Sequence, residues 1–172
     1  TLVNGPTCVD GKVGKALKLN GTNYVNLPTS ASLDTTLNNF TIVVWATFDS
    51  TTFNDDNGFV QYKYVFNDSG YTVGVNIYPN QSPETNGIAG YNCIDNDWNF
   101  FAYVRDINIG KITLYANGKN LGQTNTYPGQ LVVQGSYMNR IGWYGVWSGT
   151  LEGNIDEVRI YNRALSDQEI KA

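Results

Sequence analysis

The residues with most chemistry to offer cluster in "IGWYGVWSGT", 141–150, where Trp143, Tyr144 and Trp147 stand among Gly142, Gly145 and Gly149. Flat aromatic faces stack on sugar rings, and neighbouring amides and carboxylates read hydroxyls. With 12 Tyr, 4 Trp and many Asn, the chain is rich in both kinds of group. "NRIG" still fits a strand, whose alternation turns one of Trp143 and Tyr144 inward. Beyond it, Gly145, Gly149 and Gly153 punctuate a loop, and loops on a rigid scaffold commonly carry function. Trp147 is therefore expected to be displayed; the alternative is a ring folded back as a lid on the core. In "FVQYKYVF", Tyr62 and Tyr64 share one face of a strand and read as core or as a binding floor. Together with Tyr91 they are second-rank candidates for the same ligand.

Hydrolysis is the other chemistry to weigh. A glycosidase needs two carboxyls, about 5–5.5 Å apart if retaining and roughly 6.5–9.5 Å apart if inverting. The glutamates are Glu84, Glu152, Glu157 and Glu169. In "EGNIDEV", adjacent Asp156 and Glu157 should point to opposite faces of a strand. Glu152 and Asp156 share a face, but four residues at ~3.3 Å each set them ~13 Å apart. Asn154, the other neighbour on that face, is neutral. The pattern therefore predicts no enzyme. The absence of histidine removes a Ser-His-Asp triad, a Cys-His pair and a His-ligated zinc site. Cys8 and Cys93 read either as one disulfide or as two separate thiols.

These groups need a scaffold. At 172 residues the chain suits one domain, 1–172. Its net charge is −4 and it has no basic run, which excludes nucleic acid as a partner. No apolar run approaches the ~18 residues of a membrane span. Short runs rich in β-branched and aromatic residues recur between Gly/Asn/Asp/Pro clusters, among them "KALKL", "FTIVVWATF", "YTVGVNIY", "WNFFAYVRD", "KITLYANG" and "NIDEVRIY". About eleven strands at this spacing predict an all-β sandwich. "FTIVVWATF" reads as a central strand buried on both faces, with Trp45 in the core, as Trp98 is in its own strand. "ANGKNLG" places a hairpin over 111–122. The one helix expected is the tail "SDQEIKA", N-capped by Ser166 with Glu169 closing a capping box.

Three stretches, "GKVGKALKLNGTNYVNLP", "WNFFAYVRDINIGKITLYANGKNLG" and "GNIDEVRIYNRALSDQEI", together resemble the laminin-G-like, concanavalin A-like jelly-roll family of extracellular bacterial proteins. The resemblance spans nearly the whole chain. It implies an all-β fold: a two-sheet antiparallel jelly-roll sandwich with a short C-terminal helical turn. Such domains commonly carry a further strand upstream of "TLVNGPT". Many members hold a structural Ca²⁺ between an acidic turn and the Asp of "I-D-E". The matching positions here are Asn20, Asn23 and Asp156, so the resemblance implies one Ca²⁺ near the 20–24 turn. Neutral Asn at two positions weakens that set, and both also suit a plain turn. The family includes lectins, carbohydrate-binding modules, adhesins and some glycosidases. The function expected is a non-catalytic carbohydrate-binding module, secreted or at the cell surface. It would be monomeric, tethered to other domains of a larger chain, and would bind an oligo- or polysaccharide. An adhesin-type protein-binding domain is the alternative.

Overall fold

The computed structural model describes residues 1–28, 39–48, 58–66, 72–78, 87–89, 97–125, 131–133, 140–144 and 149–171. Of 58–66, 72–78, 87–89, 124–125, 131–133, 143–144 and 149–150 it describes the backbone alone. The strands are β1 (Leu2–Val3), β2 (Thr7–Asp10), β3 (Lys15–Asn20), β4 (Tyr24–Asn26), β5 (Phe40–Ala46), β6 (Gly58–Phe66), β7 (Thr72–Tyr78) and β8 (Gly87–Ala89). They continue as β9 (Asn99–Asp106), β10 (Lys111–Ala116), β11 (Lys119–Asn125), β12 (Leu131–Val133), β13 (Arg140–Ile141), β14 (Trp143–Tyr144), β15 (Gly149–Thr150) and β16 (Glu152–Tyr161). Among the described residues one helix, α1 (Asp167–Lys171), follows.

The strands form two large sheets and a ribbon. The first sheet runs β1-β4-β13-β6-β7-β8, with β12 also paired to β6; the second runs β11-β10-β9-β5-β16-β3-β2. The pairs are antiparallel apart from β7 with β8. This is the two-sheet sandwich with a short C-terminal helix that the sequence predicts. The 111–122 hairpin is also present: Asn117 and Gly118, both at positive φ, turn β10 back into β11. That is the backbone an Asn-Gly turn supplies at least cost.

Alternation along β5 divides one apolar run between two faces. Phe40, Ile42, Val44 and Ala46 enter the interior, against Leu19, Phe101, Tyr103 and Ile155. Thr41, Val43, Trp45 and Thr47 belong to the opposite, outer face of the second sheet. There Val43 starts a smaller cluster with Ala102, Val104 and Tyr115, closed by Leu165 and Ile170. The strand is thus buried on both faces as expected, but Trp45 is only half-buried, as is Trp98. Their rings are not the interior core residues that the apolar context suggested.

Five residues cannot sustain a helix alone, so α1 depends on its contacts. The Thr41 hydroxyl donates to the Arg163 carbonyl at 2.9 Å and accepts the Leu165 N–H at 3.0 Å. The Tyr115 hydroxyl donates to Asp167, and burial first, then this bond, raises its pKa. The capping box forms: Glu169 accepts the Ser166 N–H at 3.0 Å, and the Glu169 N–H reaches the Ser166 hydroxyl at 3.4 Å. Arg163 grips the same carboxylate with two N–H groups at 2.9 and 2.6 Å. Arg163 above all, then Ser166, lowers the Glu169 pKa from 4.5 to about 2. The sign follows from linkage. A carboxyl depressed in the folded state adds stability above its unfolded value and loses it as pH falls through the folded one. Docking of α1 is therefore expected to weaken from about pH 4.5 down to about 2. Carboxyl NMR should give Glu169 a midpoint near 2; a midpoint near 4 would mean that the Arg163 grip is absent in solution.

Candidate functional site

The outer face of the second sheet carries a groove of about 520 Å³, within the ~300–1,000 Å³ range of ligand pockets. Trp45 of β5 and Phe100 of β9 form its aromatic wall, with ring centroids 5.3 Å apart and planes at 52°. These two residues are direct cross-strand partners, so the ladder itself sets the pair. Exposed Val13 stands at the rim, and the Lys12 ammonium lies 4.5 Å from the Trp45 ring centre. Asn117 and α1 close the far side.

A bulge in β16 supplies the polar side. Asp156 faces Trp45 and Arg159 faces Val43, so two residues, Glu157 and Val158, oppose Val44 alone. Glu157 takes φ +48°, a left-handed conformation that costs a non-glycine residue about 1–2 kcal/mol. Bulges re-aim side chains, and this one corrects the strand reading of "IDEV". Asp156 shares a face with its partner Trp45, while Glu157 lines the groove beside Trp45 and is not turned to the opposite face. Past the bulge the alternation resets: Val158 and Ile160 pack on the interior, and Arg159 and Tyr161 line the groove.

Both adjacent carboxyls on this side are engaged by groups of the chain itself. Asp156 is buried, and its two oxygens accept the Val13 N–H at 2.9 Å and the Glu157 N–H at 2.7 Å. Glu157 pairs with Arg159. That bond is the main cause of a raised Arg159 pKa, which keeps the guanidinium charged.

The structure does not bring the three expected calcium ligands together. Asn20 and Asn23 share one turn. The Asn20 side-chain oxygen accepts the Thr22 N–H at 3.1 Å and hydroxyl at 2.8 Å, and that of Asn23 accepts the Asn20 N–H at 2.9 Å. Asn20 pairs with Glu152 across β3 and β16. Asp156 lies four residues further along, roughly 13 Å away at ~3.3 Å per residue, and binds the 11–14 turn instead. The residues therefore do not fit one cation bound by all three.

The aromatic candidates divide. Trp143 and Tyr144 form β14, as their strand reading expected, and its backbone pairs with Thr150 and Gly149 of β15; residues 149–150, expected in the loop, are strand, and 145–148 lie outside the described residues. Two glycines of the segment have packing reasons. At Gly142 (φ +80°) a Cβ would collide with Leu19, and at Gly153 (φ +149°) with the Thr47 carbonyl. Tyr62 and Tyr64 both lie on β6, opposite Val73 of β7 and Val133 of β12 respectively. Trp147 and Tyr91 lie outside the described residues, as does Cys93; Cys8 is an exposed, free thiol. Sequence reasoning missed the groove because an apolar strand hid Trp45. The signal available was the Thr at 41 and 47, on the same face as Trp45.

The sequence from 19 to 171 matches the family model of the concanavalin A-like lectin/glucanases superfamily, of laminin G type. No curated protein matches it significantly. Among solved structures, domain 4 of AbnA, a GH43 extracellular arabinanase from Geobacillus stearothermophilus, in complex with arabinotriose, aligns with a TM-score of 0.71 and 23% identity, over 98% of this chain and 81% of that one. The CBM40 of the Ruminococcus gnavus IT-sialidase, bound to α2,3 sialyllactose, gives 0.63 and 13%, over 91% and 94%. The binding domain of Paraclostridial Mosquitocidal Protein 1 gives 0.66 and 17%, over 99% of this chain but 46% of that one. At these identities the likeness is one of fold. Among the described residues, no helix is long and apolar enough to cross a membrane.

Proposed function

Because this chain belongs to the concanavalin A-like lectin/glucanases superfamily, and because its outer sheet carries an aromatic groove, we propose that it is a non-catalytic carbohydrate-binding module. The observation that carries the reading is the Trp45–Phe100 wall in a concave site with amide, carboxylate and cationic groups at its edge. A concave aromatic cleft with a polar rim suits a saccharide, whereas a flat apolar patch would suit the adhesin alternative. The sugar complexes of the arabinanase and sialidase domains support the same ligand class. The extracellular arabinanase supports a secreted or cell-surface setting. The engaged state of Asp156 and Glu157 supports binding without cleavage.

The test is a glycan panel read by calorimetry, with release of reducing sugar followed in parallel. Binding without turnover is expected; turnover abolished by Glu157→Gln would overturn the non-catalytic reading. Two variants locate the site. Aromatic stacking is worth ~1–3 kcal/mol per ring in nucleic-acid complexes, and a loss of ~1.4 kcal/mol weakens affinity about tenfold. Trp45→Ala is expected to reach that loss. If instead Trp147→Ala gives it while Trp45→Ala does not, the ligand sits with Trp147, Trp143 and Tyr144.

A further inference from the structure

We infer that the groove takes a saccharide bearing a carboxylate, its ring against Trp45 and Phe100 and its acid group on Lys12. The inference rests on the carbohydrate-binding reading and names the ligand class of that site.

The charges of the groove carry it. Arg159 is matched by Glu157, and Glu169 by Arg163. Lys12 has no such partner: its ammonium sits over the Trp45 ring and makes no ion pair with a described residue. Its backbone, in contrast, is held. The Gly11 N–H donates to the Gly14 carbonyl at 3.0 Å and the Val13 N–H to Asp156 at 2.9 Å. The 11–14 turn thus fixes where Lys12 starts while its side chain stays exposed. A further cation, Lys171, stands on the α1 side of the groove, also without a described carboxylate partner.

The position of Lys12 makes the site selective. At rest the ammonium covers one face of the Trp45 ring, next to Val13 at the groove's rim. A neutral sugar that stacks on that face must displace it and gives nothing in return. A carboxylate offers a charge-assisted hydrogen bond, stronger than a cation–π contact at an exposed ring. Drawing Lys12 onto the acid uncovers the indole, so one event satisfies the charge and opens the stacking face. Glu157 cannot take that role for the ligand because Arg159 holds it. Arg159 is already charge-matched by Glu157, so Lys12, the cation held over Trp45, is the one placed to read an acid on a ring stacked there.

The experiment titrates the whole 172-residue chain with oligogalacturonate, oligomannuronate and sialyllactose, each beside its methyl ester, and with neutral oligosaccharides. At least one acid is expected to bind about tenfold or more tighter than its ester. Lys12→Gln should erase the difference and Lys12→Arg should keep most of it, while Trp45→Ala weakens acid and ester alike. Lys12 is exposed, so its variants report binding without risk to the fold. Equal affinity for acid and ester, or acid binding indifferent to Lys12→Gln, would overturn the inference and leave the carbohydrate-binding reading standing. Binding of no saccharide, acidic or neutral, would overturn that reading as well.

Discussion

Gly153→Ala is expected to cost about 4 kcal/mol or more of folding stability, the range reserved for substitutions that the structure cannot absorb. Gly153, the second residue of β16, lies at φ +149°, where an L-residue is strained whatever space surrounds it. Space is lacking too: a Cβ there would run into the Thr47 carbonyl and the Phe48 backbone. Neither obstacle is a side-chain end that could swing aside. The Thr47 N–H bonds the Asn154 carbonyl at 2.9 Å, and the Thr47 hydroxyl accepts the Asn154 N–H at 3.0 Å. Relieving the clash therefore means unzipping β16 from β5 at the start of its ladder. A domain of typical stability, about 5–15 kcal/mol, would lose a large part of it. Gly14→Ala is the control. It also lies at positive φ, +65°, but nothing stands within 4 Å of its added methyl, so only the backbone term of about 1–2 kcal/mol applies. Urea midpoints of the two variants measure the difference. Equal losses would mean that the close approach of Gly153 to Thr47 is absent in solution.

The same contrast shows how much of this protein its sequence discloses. Elements set by local chemistry were legible. The Asn117-Gly118 turn needs positive φ twice, and the Ser166/Glu169 box satisfies backbone donors that any helix start leaves open; both formed where expected. Strands read from period two were legible as strands. What period two could not supply is the face, once a single residue is inserted. The bulge at Glu157 has no composition of its own, yet it brings Glu157, expected on the face opposite Asp156, into the groove beside Trp45. It also restores Val158 and Ile160 to the core. Trp45 was misplaced for a related reason. A strand buried on both faces shows little polar alternation, and its outer face was covered by Leu165 and Ile170, more than 115 residues away in the chain. Lys12 carried no signal at all, because its place over Trp45 depends on a turn tied down by Asp156. The spacing of Asn20, Asn23 and Asp156 was not legible either, because register, which only pairing reveals, sets Asn20 opposite Glu152.

Asp156→Ala is expected to lower stability by about 3 kcal/mol, and by the same amount with or without EDTA. The Asp156 oxygens accept one N–H from the 11–14 turn and one from the bulge. Each donor left without a partner in a buried setting costs about 1–3 kcal/mol. Both lie in part-buried surroundings, so the lower half of that range applies to each. For a chain of this size a loss of 3 kcal/mol corresponds to roughly 6–12 °C in Tm. Asp156→Asn keeps one acceptor oxygen and should lose about half as much. The functional consequence follows from what the two amides hold. Without the Glu157 N–H bond, the left-handed residue loses the contact that compensates its strain, and Glu157 is released from the groove. Without the Val13 N–H bond, the turn no longer sets Lys12 over Trp45. Binding at the groove should therefore weaken together with stability in Asp156→Ala, whereas Lys12→Gln should change binding alone. EDTA separates this account from a metal-mediated one. If chelation lowers Tm in the native chain and Asp156→Ala removes that response, Asp156 acts through a cation. If the variant loses its 3 kcal/mol with chelator present as without it, the carboxylate acts directly on the two backbone amides.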